Sequence, residues 1–128
     1  MAKKRVFIAD DQPEVLSLLK DFLTTNNFEV MTCRESRNVL RLIRSFKPQL
    51  ILLDLLMPDL GGFEVCEILN SEPETNGIPV IVISGLSDPL DVKKAYKLGV
   101  VDYLVKPFSL EGMLKKVNQA IANKEKLF

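Results

Sequence analysis

Short, strongly apolar runs alternate along this chain with longer stretches in which apolar residues recur every three or four positions. The short runs are RVFIA (5–9), FEVMT (28–32), LILLD (50–54), VIVIS (80–84) and DYLV (102–105). Their length and their content of branched and aromatic side chains predict strands. The longer stretches, near 13–25, 36–46, 63–71, 89–98 and 109–124, carry the helical period. In the last of them Leu110, Met113, Leu114, Val117 and Ile121 form one stripe, and Lys115, Lys116 and Asn118 are expected to face away. Pro13, Pro89 and Ser109 stand where helices should start, and Gly99 where one should stop. Five strands alternating with five helices predict a three-layer α/β fold, a doubly wound parallel sheet with helices on both faces. The runs at 51–53 and 80–83 are continuously apolar, as central strands buried on both faces should be. The pattern reads as one domain over 1–128 with a core near 5–124. The tail NKEKLF is either a helix end or the start of a connection.

Composition narrows the function. Apolar residues make up 47% of the 128, enough for a core without disulfides. Seventeen basic side chains balance 17 acidic ones, which argues against a nucleic-acid binder working by phosphate neutralisation. Cys33 and Cys66 are far apart and read as small buried thiols. With no histidine, the usual zinc-ligand sets are nearly excluded. The basic opening MAKKR is too short for a signal peptide, no apolar run approaches membrane-spanning length, and a cytoplasmic protein is expected.

Candidate chemistry gathers at the ends of the strands. Asp10 and Asp11 follow the first, Asp54 ends the third, Ser84 the fourth, and Lys106 follows the fifth. Open parallel sheets bind ligands outside the carboxyl ends of their strands. If the strands are ordered 2-1-3-4-5, the first and third are neighbours about 4.8 Å apart. The three aspartates then crowd into one cleft flanked by Ser84 and Lys106. Two carboxylates about 5 Å apart repel by roughly 3 kcal/mol at an effective dielectric near 20, so a cation or a retained proton is required. An all-oxygen cleft with room for water suits Mg²⁺, and a hydroxyl and an ammonium suit phosphoryl oxygens. Taken singly, Asp11 reads equally as a cap for the helix near Pro13, Ser84 as a turn residue and Lys106 as an exposed lysine. Five such residues at one sheet edge favour a site.

The set ADD, ILLDLLMPDLGGFE, VIVISG and GVVDYLVKPF, in this order and at these intervals, resembles the receiver domain of two-component response regulators. The resemblance spans essentially the whole chain. It implies a flavodoxin-like sheet of order 2-1-3-4-5 and a phosphoacceptor, Asp54, that takes a phosphoryl group from a phosphohistidine. The donor would be a sensor histidine kinase or a histidine phosphotransfer protein. Asp11, Asp54 and the backbone carbonyl of Leu56 would bind Mg²⁺, or Mn²⁺ as a substitute, with Asp10 acting through a water. Ser84 and Lys106 would grip the phosphoryl oxygens, and Tyr103 would turn inward when Ser84 moves.

The resemblance further implies a cis peptide at Lys106-Pro107. Met57-Pro58 and Gly61-Gly62 should give a tight loop, and Gly85 should keep its own loop small. Leu56 and Leu86, each two residues beyond a key side chain, would gate the hydrolytic water. Being apolar, they imply a long-lived phosphoryl group. Such a domain is regulatory rather than an enzyme, monomeric or dimerising on phosphorylation, without direct nucleic-acid or membrane binding. Its output would be a downstream protein or a fused domain. The lead-in GVVDY leaves Asp102 as the lone carboxylate there, and Lys93, Lys94 and Lys97 read as a solvated helix face. Three other readings remain open: a phosphohydrolase of the haloacid-dehalogenase type, a flavodoxin-like nucleotide or flavin binder, and a receiver that signals without phosphorylation. The first expects Asp-x-Asp and the second a glycine- or hydroxyl-rich loop where ADDQPE stands.

Overall fold

The structure is a computed structural model and describes residues 2–126. Ten elements alternate strictly: β1 (Lys4–Ala9), α1 (Pro13–Thr25), β2 (Phe28–Cys33), α2 (Ser36–Phe46), β3 (Leu50–Leu53), α3 (Gly62–Ser71), β4 (Val80–Ser84), α4 (Pro89–Lys97), β5 (Asp102–Val105) and α5 (Leu110–Glu125). The strands form one parallel sheet of order β2-β1-β3-β4-β5, as the chain's resemblance implied. Ala9 pairs with Cys33 on one side and Leu53 on the other, which sets the ends of three strands level.

Because successive strand residues point to opposite faces, each strand feeds two cores. Val6, Ile8, Leu50, Leu52, Ile81 and Ile83 pack under α1 and α5. Phe7, Ala9, Ile51, Leu53 and Val82 pack under α2, α3 and α4. Every residue of β3 and β4 is buried, as their unbroken apolar runs require. Full burial of a leucine or isoleucine side chain contributes about 2 kcal/mol, so both helical layers are needed to hold the strand ends in place.

The helix ends follow local chemistry. Asp88 caps α4 by accepting from the Leu90 amide, and Ser109 caps α5 by accepting from the Gly112 amide. Gly99 follows α4 at φ 96°, where a Cβ would lie 2.5 Å from the Asn70 side-chain oxygen. Three expectations need correction, and the tail is settled toward one of its two readings. Asp11 caps nothing: Gln12 holds the position before α1, with no side-chain cap bond. Lys116 does not simply face away, because its Nζ meets Asp102 at 3.0 Å. A Cβ on Gly85 would touch nothing within 4 Å, so packing does not demand a small residue there. The first residues of the tail, through Glu125, belong to α5, and Leu127 and Phe128 lie outside the described residues. No helix among the described residues is long and apolar enough to cross a membrane.

Candidate functional site

The two polypeptide segments that leave β1 and β3 run side by side. The Asp54 amide still donates to the Ala9 carbonyl at 2.9 Å, extending the ladder one step past β3. The Asp10 amide does the same toward Cys33 at 3.1 Å. These bonds bring carboxylate oxygens of Asp10, Asp11 and Asp54 within 4.8 Å of one another. Asp10 and Asp54 are buried, and Asp11 is half-buried.

Lys106 reaches this cluster from the far edge of the sheet. Its amide donates to the Ser84 carbonyl at 2.8 Å, which fixes the backbone beyond β5. Its ammonium donates to Asp10 Oδ2 at 2.7 Å, Gln12 Oε1 at 2.9 Å and Asp54 Oδ2 at 3.2 Å. An ammonium has three N–H donors, and all three are taken. The other oxygen of each buried carboxylate accepts from the backbone two residues on. Gln12 N–H binds Asp10 Oδ1 at 2.9 Å, and Leu56 N–H binds Asp54 Oδ1 at 3.0 Å. Asp11 differs: its carboxylate makes no hydrogen bond or ion pair among the described residues.

The electrostatics follow from that crowding. Burial lifts the Asp10 carboxyl above its ordinary 3.8, and the charge of Asp54 adds to the rise, against the Lys106 and Gln12 hydrogen bonds. Burial lowers Lys106, but Asp10 and Asp54 together outweigh it and leave the ammonium above its usual value. One ammonium among three carboxylates leaves a net negative cleft of oxygen donors. Its donor set fits a small, hard divalent cation, which binds through one or two carboxylates and retains waters.

Two loops frame the cleft. In the β3–α3 loop Leu55 and Met57 are buried whereas Leu56 is 53% exposed, so its side chain stands at the mouth. The loop closes tightly on α3: a Cβ on Gly62 would fall 2.3 Å from the Leu55 Cα. Gly61 is under no such pressure, with its nearest contact at 3.4 Å. In the β4–α4 loop Ser84 Oγ accepts from the Leu86 amide at 3.1 Å, and the Tyr103 hydroxyl donates to the Leu86 carbonyl at 2.7 Å. Leu86 is thus held from both of its backbone groups by the two expected switch residues. Tyr103 is half-buried, and burial raises its hydroxyl above the ordinary 10.0. The Lys106-Pro107 peptide is cis.

All the strand-end residues singled out from the sequence therefore border one cleft or its two loops. Lys93, Lys94 and Lys97 do not take part and are exposed on α4, with the Lys94 ammonium 4.4 Å from the centre of the Phe63 ring. Sequence reasoning gave Gln12 no role. Its only trace there is a polar residue directly after the acidic pair, and its use depends on a lysine 94 residues away.

The chain belongs to the response regulator receiver domain family, whose sequence profile matches residues 6–118. It is a receiver domain, a regulatory signalling module of two-component systems. It is 31% identical over 130 residues to a protein of Porphyridium aerugineum described as "Probable transcriptional regulator ycf27", covering 96% of this chain and 53% of that protein. It is 27% identical to the DNA-binding response regulator MtrA of Mycolicibacterium smegmatis, over 96% of this chain and 53% of MtrA. Among solved structures, a CheY-like response regulator receiver domain protein of Methanospirillum hungatei superposes with a TM-score of 0.91 at 25% identity, covering 97% of this chain and 98% of that one. The chain spans about half the length of the curated relatives it matches.

Proposed function

We propose that Asp54 is the phosphoacceptor of this receiver. A carboxylate oxygen of Asp54 attacks the phosphorus of a phosphohistidine on a histidine kinase or phosphotransfer protein. The P–N bond breaks, its electron pair returns to the imidazole of the donor, and Asp54 carries an acyl phosphate. One observation carries this reading: three carboxylates lie within 4.8 Å of one another and a single lysine bridges the two buried ones. The absence of histidine from the chain accords with a donor imidazole on the partner.

Asp11, Asp54 and the Leu56 carbonyl would hold Mg²⁺ or Mn²⁺, with Asp10 assisting through a water. The cation supplies the positive charge that the carboxylates and the incoming phosphoryl oxygens lack. Lys106 keeps Asp10 as its anchor and exchanges another acceptor for a phosphoryl oxygen. Ser84 Oγ offers the second donor by turning from the Leu86 amide. Tyr103 follows, because both side chains hold Leu86. Leu56 and Leu86 present no polar atom to orient a hydrolytic water, so the phosphoryl group is retained.

The chain itself is regulatory rather than a turnover enzyme, cytoplasmic, and monomeric or dimeric on phosphorylation. Its even balance of acids and bases argues against binding nucleic acid by phosphate neutralisation. The output is a fused domain or a downstream protein, and the first is in keeping with the DNA-binding response regulator MtrA, of which this chain covers 53%.

Beryllofluoride, a mimic of the aspartyl phosphate, tests the reading. With Mg²⁺ present it should shift the amide resonances of Leu56, Leu86 and Tyr103, and Asp54→Asn should abolish the shift. A parent protein that ignores beryllofluoride belongs instead to the receivers that signal by contact alone.

A further inference from the structure

We propose that the Ser36 hydroxyl is a positioning group for the phosphoacceptor loop, fixing the turn from which Leu56 is presented. The proposal rests on the reading of Asp54 and Leu56 given above. Ser36 is the first residue of α2 and is only 2% exposed, although a serine there needs no burial to begin a helix. Its hydroxyl donates to the Pro58 carbonyl at 2.5 Å and accepts from the Leu60 amide at 2.9 Å. One oxygen atom thus closes the turn on both sides of Asp59. Asp59 has φ 75°, in the left-handed region that side-chain-bearing residues seldom adopt.

No other hydrogen bond reaches residues 57–60 among the described residues. Nearer the acceptor the loop is held by Asp54 N–H on Ala9, by Leu56 N–H on Asp54 Oδ1 at 3.0 Å and by the buried Leu55 and Met57, and Gly62 N–H on the Leu55 carbonyl at 3.3 Å closes its far end. Between these anchors the Ser36 strap decides whether Asp59 stays left-handed. Together with the Leu56 amide bond to Asp54, it thereby sets where the Leu56 carbonyl and the exposed Leu56 side chain stand. Without the hydroxyl, the Pro58 carbonyl and Leu60 amide lose their partner, and Asp59 relaxes toward negative φ. Leu56, three residues upstream, then shifts relative to Asp54. Ser36 lies outside the cleft and touches neither cation nor phosphoryl group, so its action is indirect.

The test compares the parent with Ser36→Ala, which removes one atom and adds none. Hydrogen exchange in Mg²⁺-free protein should show the Leu60 amide losing protection, while those of Leu52 and Ile81 in the central strands keep theirs. A Mg²⁺ titration followed at the Leu56 amide should show a dissociation constant about fivefold higher, the cost of one lost hydrogen bond passed on to a ligand's position. A merely structural serine would change the first readout and leave the second alone. In an Asp59→Gly background, where left-handed backbone carries no Cβ penalty, the same alanine change should cost less affinity. Unchanged Leu60 protection, or Mg²⁺ affinity equal to the parent's, overturns the positioning role, as does an undiminished cost in the glycine background. If the parent itself shows no Mg²⁺ response, the site reading fails, and the positioning role fails with it.

Discussion

Asp10 and Asp11 are neighbours in sequence but occupy opposite circumstances. Both oxygens of Asp10 are engaged, by the Gln12 amide and by Lys106, and the side chain is fully buried. Asp11 is half-buried, with no partner among the described residues. Asp11 alone of the three has no oxygen already engaged among the described residues, so Asp11→Ala should abolish Mg²⁺ binding, whereas Asp10→Ala should weaken it by about tenfold. A titration followed at backbone amides separates the two, and equal losses would show the pair to be wrongly divided. Sequence alone singled out the acidic pair because two adjacent carboxylates after a buried strand are costly. It could not show why the members differ, because that depends on the long reach of Lys106. The cysteines make a simpler residue-scale case. Burial pushes the Cys66 thiol from an ordinary 9.0 up to about 12. The folded-state value lies above the unfolded one, so the favourable neutral thiol contributes fully below pH 9.0 and is lost as pH climbs through about 12. At pH 8 a thiol reagent should label Cys66 only at the rate of unfolding, and rapid labelling of native protein would contradict its burial.

At the scale of elements, the strand runs and helical periods were legible nearly residue by residue. The sheet buries strands on both faces, so their hydrophobicity is written locally as unbroken runs such as Leu50–Leu53 and Val80–Ser84. The loops were less legible. Gly61, Gly62 and Gly85 look alike in sequence, yet only Gly62 meets backbone so close that a Cβ could not fit. Asp59 carries a left-handed backbone without a glycine to announce it, and Ser36, the residue that holds it, lies in a different element. If Asp54 is the phosphoacceptor as proposed, these two loops would set the lifetime of its phosphoryl group. Leu56 stands exposed at the mouth and Leu86 is half-buried, and on the proposed reading neither side chain would offer a hydrogen bond to water at the phosphorus. The aspartyl phosphate should persist for minutes or longer without a phosphatase, and Leu56→Asn should shorten that time. Decay of the parent within a few seconds, followed after acetyl phosphate is removed, would contradict the gating.

For the whole molecule, the site exists only because the sheet order brings distant segments together. Lys106 lies 96 residues from Asp10 and 52 from Asp54, and it bonds both. The order β2-β1-β3-β4-β5 was carried by the resemblance rather than by the periodicity, since alternating strands and helices fit several windings. The pairings within the cleft were not legible by either route. Three groups competing for one ammonium is a property of packed side chains, and Gln12 enters only there. The same arrangement leaves three carboxylates against the single ammonium of Lys106. The central claim is that this excess serves phosphoryl transfer to Asp54. Intact-mass spectrometry after incubation with acetyl phosphate and Mg²⁺ tests it most directly. One phosphoryl group should appear on the parent and none on Asp54→Asn. An unmodified parent, or a variant modified to the same extent, would contradict the account.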